Sequence, residues 1–357
     1  MWLHLALVGL CLAATPAEQA AELVKQLGSP RFADRKAAEE GLLRLGPAAL
    51  PAVRAGLKSD DVEVRSRCRQ LVPRIEVVDR ARRADAYAAD LEGKDRHDLP
   101  LRAEYEKLAG TGPEARRLFA AIVRANEPLL RKVAADRARG RDAYHDECRT
   151  LNDAGEAGAG QLAAVLLVSL VLKEDRADWR GPTCFAHLLG NPGLRAAVKD
   201  PKLGEPLGRL LLAWAERQAV AEVASLQYFL YFVDAAEWRE GLPAVRRLIR
   251  DKGAAGFNLR GPAVAVLGKV GGRNAAAELE KLWGDATLLS PLAGLPRLGD
   301  QALAASIRLA GAAPKDYGLR PVYYDLRGPG RVWTVVLYGF DSDSARQAAL
   351  KKWKAKK

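Results

Sequence analysis

Two short stretches place metal-ligating residues at mirrored spacing. YHDEC supplies His145 and Cys148, and TCFAH supplies Cys184 and His187. Residues three apart share a face of a helix, so each stretch presents two ligands together. If the two pairs met, they would give the Cys2His2 donor set of a tetrahedral zinc site. The same residues suit a plainer role, with both cysteines as small packing groups and both histidines at the surface. A second constellation is RHDL, which sets His97 beside Asp95 and Asp98. Histidine with a carboxylate can act as a general base. Its setting, GKDRHDLP, is a polar run of turn residues in which neighbours in sequence do not orient one another. The chain has no G-x-S-x-G, no H-E-x-x-H, no P-loop and no dinucleotide fingerprint. No catalytic residue and no cofactor is therefore expected. The glycines at Gly271–Gly272 read as a helix end that needs positive φ, rather than as a phosphate cradle.

Binding chemistry has two candidates. SLQYFLYFVDAAEW gathers Tyr228, Tyr231 and Trp238 with two phenylalanines in a chain that is only 6% aromatic. Aromatics dominate binding energy in grooves, and they equally serve as large core side chains. The end of the chain, KKWKAKK, interleaves Trp353 with Lys351, Lys352 and Lys354. That mixture suits an anionic envelope surface or nucleic acid, and it also suits a helix C-terminus, where lysines complement the dipole.

The elements that must position these residues are helices. Hydrophobic residues make up 49% of 357, enough for a large core, and with few aromatics Ala and Leu must fill it. The net charge of +12 is spread as arginines on helix faces, apart from the terminal lysines. MWLHLALVGLCLAATPA contains no charged side chain and reads as a secretory leader with an apolar run followed by small residues. Export disfavours nucleic acid as the partner. QLAAVLLVSLVLK (161–173) has the length of a core helix, so no transmembrane segment is expected in the mature chain. The four cysteines, one of them in the leader, make no disulfide framework.

Internal repetition carries most of the information. Shifted by 30 residues, SPRFADRKAAEEGLLRLG falls on SDDVEVRSRCRQLVPRIE. Ser29 then meets Ser59, Arg35 meets Arg65 and Ala38 meets Cys68. In the second copy Val64, Cys68, Leu71 and Ile75 form one apolar stripe, with Asp60 and Glu63 at capping-box spacing. Pro73 should bend or loosen that helix. LPAVR occurs at 50–54 and again at 242–246, each time marking a helix start with proline in the first turn. RGPAVAVLGKVGG and LGDQALAASIRLAG align at a shift of 39. Periods of 30 to 40 residues with paired helices are the signature of an α-solenoid. PVYYDLRGPGRVWTVVLYGF departs from this pattern and predicts a short hairpin or extended arm.

These residues resemble HEAT-like repeats, with L-P-x-(V/L)-R in a first helix, an acidic turn, and V-R-x-x-A/C-x-x-L in a second. LVKQLGSPRFADRKAAEEGLLRLG, RAEYEKLAGTGPEARRLFAAIVRANEPLL, DQALAASIRLAGAAPKDYGL and YGFDSDSARQAALKKW resemble an exported bacterial HEAT-repeat family without assigned activity. The likeness departs near Pro321–Tyr338 and carries no catalytic or metal motif. It implies an all-α fold, an α-α superhelix of the HEAT/armadillo-like solenoid kind. It further implies an exported protein in the periplasm or cell envelope that scaffolds an unidentified protein partner. The expected organisation is a signal peptide at 1–17, N-terminal HEAT-like repeats at 18–76, a central helical region at 77–160, C-terminal HEAT-like repeats at 161–316, and an arm plus basic helix at 317–357.

Overall fold

A computed structural model describes residues 14–95, 97–172, 184–217, 223–251, 259–289, 296–328 and 331–356. The expected leader lies almost wholly outside the described residues. What is described is mostly helical, with one two-stranded sheet. The chain divides into two compact units, one ending at Asp90 and the other starting at Leu91.

The first unit holds α1 (Pro16–Gln26), α2 (Phe32–Leu45), α3 (Leu50–Gly56) and α4 (Val62–Ala89). Thr15 opens α1 with a reciprocal cap. Its hydroxyl accepts the Glu18 N–H, and the Glu18 carboxylate accepts the Thr15 N–H. Residue 17 thus lies within the first turn of α1. The 30-residue shift seen in sequence is also a repeat of hydrogen bonds. The Ser29 hydroxyl accepts the Arg31 N–H at 3.2 Å, and the Ser59 hydroxyl accepts the Asp61 N–H at 3.2 Å. Arg35 donates to the Ser29 carbonyl, and Arg65 donates to the Ser59 carbonyl. Each guanidinium therefore ties the second turn of its helix to the turn that precedes it. Val64, Cys68, Leu71 and Ile75 are buried together with Ala38, Leu42 and Val53. The cap of α4 is Asp61 rather than Asp60, because the Ser59 hydroxyl fixes the Asp61 backbone and leaves its carboxylate facing the N–H groups of Glu63 and Val64. α4 runs on through Pro73 to Ala89, so the expected boundary at 76/77 falls inside a helix and the units part at 90/91 instead.

The second unit begins with α5 (Arg102–Ala109), α6 (Pro113–Ala135), α7 (Arg137–Asp153) and α8 (Ala159–Leu172). α6 kinks at Asn126, where φ is −153° and ψ is 49°. Pro128 cannot donate to the preceding turn, and the Asn126 side chain accepts the Leu129 N–H and restarts the helix. From Leu162 to Leu172 every side chain of α8 is buried, which is why the run is apolar all round. Gly160 lets α8 approach α6, for a Cβ there would lie 2.5 Å from the Ala121 carbonyl oxygen. No helix among the described residues is long and apolar enough to cross a membrane.

α9 (Cys184–Leu188), α10 (Pro192–Ala197), α11 (Gly204–Arg217), α12 (Val223–Ala236) and α13 (Leu242–Arg250) follow, then α14 (Arg260–Gly271), α15 (Ala276–Glu280) and α16 (Leu298–Leu309). The two LPAVR copies start α3 and α13, each after a 3-10 turn. Arg54 pairs with Glu76 at 2.8 Å, and Arg246 grips Glu278 with two nitrogens at 2.8 Å each. The predicted hairpin is present as β1 (Arg320–Gly328) and β2 (Arg331–Gly339), antiparallel with Val322 opposite Leu337 and Leu326 opposite Trp333. Its inner face packs on α12, α14 and α16, and Tyr323 and Val332 point outward. α17 (Asp343–Lys356) closes the unit. Arg346 on α17 makes a two-pronged bond to Asp300 on α16, at 2.6 and 3.0 Å, and Asp300 is only 1% exposed.

Candidate functional site

The two halves of the expected zinc quartet lie on helices that pack together, α7 and α9. Cys148 is buried, His145 leans on the Tyr144 ring, and His187 faces outward with its ring against Tyr228 at 5.4 Å. Among the described residues, His145, Cys148 and His187 do not form a group whose ligand atoms all lie within 4.8 Å of one another. The Cys184 side chain lies outside the described residues. The His187 ring stands at the surface but is partly covered, and this partial loss of solvent lowers its pKa, which favours the neutral imidazole. In the RHDL stretch, His97 is half-buried and Asp98 is exposed, in the turn that leads into α5.

The aromatic cluster of α12 and the turn after it is largely buried. Trp238 is buried edge-on against Phe229 and Phe232, at 6.3 and 5.7 Å. Tyr228 is buried as well. Tyr231 is half-buried, packed on Trp333 of β2, and its hydroxyl accepts a long bond from Arg195. An aromatic-poor core has to place its few large rings where helices cross, and α12 sits at such a crossing.

The terminal lysines divide in the same way. Trp353 is buried against Tyr317, with ring centroids 5.5 Å apart. Lys352 donates to the Asp316 carbonyl at 2.9 Å and lies over the Tyr317 ring. Lys351 and Lys354 are exposed.

A cleft that none of these motifs announced lies close by. The 3-10 turn 272–275, α15, the end of α16 and α17 enclose about 660 Å³. Trp283, Trp353 and Leu309 form its apolar lining, and Arg273, Arg308 and Lys356 bring positive charge to it. The Trp283 indole donates to the Ser306 hydroxyl at 3.1 Å, which in turn donates to the Ala302 carbonyl. That relay fixes the ring. Arg308 lies over the Tyr338 ring at 5.7 Å, and Arg273 is exposed beside the turn. Sequence reading missed the cleft because its cations come from three separate elements and form no run. The one available signal was Gly272, whose φ of +56° turns the chain so that Arg273 stands at the edge.

No family model matches the chain, and neither does any curated protein or solved structure.

Proposed function

We propose that the chain is a HEAT/armadillo-like solenoid acting as a non-catalytic protein–protein interaction scaffold, exported to the periplasm or cell envelope. The observation that carries the reading is the duplicated turn, in which Ser29 with Arg35 and Ser59 with Arg65 make the same bonds 30 residues apart. A unit that repeats its local bonding as well as its apolar stripe is built for stacking, and stacked units leave a long row of helix faces free to vary. The paired LPAVR helices and the duplicated 3-10 turns support the same reading. Export rests on the uncharged leader of residues 1–17.

The test is capture from an envelope extract with the mature chain, followed by cross-linking to locate the contact. A stoichiometric partner held on the helical repeats supports the scaffold. Turnover of a small substrate by the purified chain, with no partner captured, overturns it. A chain shortened by Lys351–Lys357 separates the scaffold from the competing reading of an anionic-surface binder. Loss of vesicle binding with the tail, and retention of the protein partner without it, would assign the two roles to different parts of the chain.

A further inference from the structure

We propose that the cleft beside Gly272 binds an acidic peptide segment, with an aromatic or large aliphatic side chain seated on Trp283, Trp353 and Leu309. The inference rests on the scaffold reading above and names the chemistry of the partner.

Three observations carry it. The first is charge. Arg273, Arg308 and Lys356 all contribute to the lining, and among the described lining residues none is acidic. The end of α16 adds a partial negative charge at Leu309–Ala310, which full charges on three side chains outweigh. Its Ser306, Ile307 and Arg308 carbonyls already accept N–H groups from Ala310, Ala312 and Gly311, so they do not compete for the cations.

The second is extent. The cleft shares Arg308 and Leu309 with a neighbouring hollow of about 420 Å³ that reaches Lys269 and Tyr338. On its other side it shares Lys356 with a hollow of about 400 Å³ reaching Lys352 and Tyr317. The single acidic lining residue of the flanking hollows is Asp316. A row of three hollows that share lining residues offers more room than the single pocket of about 300 to 1,000 Å³ typical of a small molecule, and fits an extended segment. Lys269 is paired with Asp234 at 2.9 Å, so the positive charge of the row comes from Arg308, Arg273, Lys356 and Lys352, the kind of basic cluster that recognises acidic motifs.

The third is the floor. Trp353 lies in the wall of the central cleft, and its indole N–H is buried without an acceptor. The exposed edges of the two indoles, with Leu309, supply the rigid apolar contact on which a side chain can seat.

The experiment is a titration of the full chain with a synthetic peptide holding one phenylalanine among aspartates and glutamates, followed by tryptophan fluorescence and calorimetry. Saturable binding is expected that weakens steeply with salt and drops about tenfold or more in Arg273→Glu with Arg308→Glu. Serine in place of the phenylalanine should weaken it by about fivefold, and lysines in place of the acids should abolish it. Arg273→Glu alone serves if the double change disturbs Arg308 on Tyr338, and an unchanged melting curve confirms the fold. Absence of saturable binding overturns the proposal, as does equal binding of the acidic and basic peptides, or binding indifferent to both reversals. Binding to phosphatidylglycerol vesicles that the reversals remove, with no peptide binding, also overturns it and assigns the cleft to a membrane surface. A chain that captures its protein partner but ignores the probe sinks the cleft alone. A chain that binds the probe and captures nothing sinks the scaffold alone.

Discussion

The turns at Gly46 and Gly272 follow one plan and serve different ends. Each glycine has φ near +57° with ψ strongly negative, a region that only glycine occupies without strain, and each opens a four-residue 3-10 turn. Ala49 and Ala275 are buried at the same offset, as are Val53 and Leu279. The positions between them differ. Where the first turn has Pro47, Leu50 and Leu57, the second has Arg273, Ala276 and Trp283. Proline and leucine continue an apolar surface. A cation, a shortened side chain and an indole open a hollow with charge at its edge. The backbone of the turn is thus reused, and its chemistry is set by a few outward positions.

The comparison can be broken in four places. The largest effect is expected at a buried brace of the second unit. Asp300→Ala leaves Arg346 facing a buried gap and should cost about 3 kcal/mol in a urea melt of the full chain. Next, Gly46→Ala and Gly272→Ala should each cost about 1 to 3 kcal/mol, and similar amounts if the plan is shared. A large cost at one and none at the other would dissolve the equivalence.

Acid should loosen both units through different carboxylates. Burial raises the pKa of Asp285, and bonds from Thr287 and Arg260 outweigh it, so its carboxyl titrates below the usual range. Asp79 in the first unit is held low in the same way, with hydrogen bonds from Arg83 and Arg82 overcoming its burial. A lowered folded-state pKa gives stability that is complete above about pH 4 and is lost as pH falls through the lowered value. Asp285→Asn and Asp79→Asn should each flatten part of that acid dependence of the melting temperature.

The smallest effect compares the two LPAVR arginines. Glu278→Gln breaks a two-pronged, half-buried pair and should cost about 1 kcal/mol, and Glu76→Gln breaks an exposed single bond worth about 0.3 kcal/mol. Equal losses would mean that the second bond to Glu278 adds nothing.

Helices, repeat turns and hairpin were legible because each is written locally. Ser29 and Arg35 lie six residues apart and bond within one turn, and Gly272 announces its own φ. The continuity of α4 was not legible, since a proline scores against a helix in sequence whatever follows it, and here the helix runs through Pro73. The exposure of α12 was not legible either. Tyr228 and Trp238 look the same in sequence whether they face a groove or a neighbouring helix, and only the packing decides. The cleft was hidden for a related reason, because Arg273, Arg308 and Lys356 become neighbours only when α16 and α17 are in place.

The close approach of α3 to α4 has a redox consequence. Gly56 lies so near Cys68 that a Cβ there would sit 2.5 Å from the sulfur, and the thiol is fully buried. Loss of solvent raises its pKa, so at neutral pH it stays protonated and is a poor nucleophile toward oxidants or another disulfide. A repeat with a sealed thiol at its centre can pass through an oxidising compartment without cross-linking at that position.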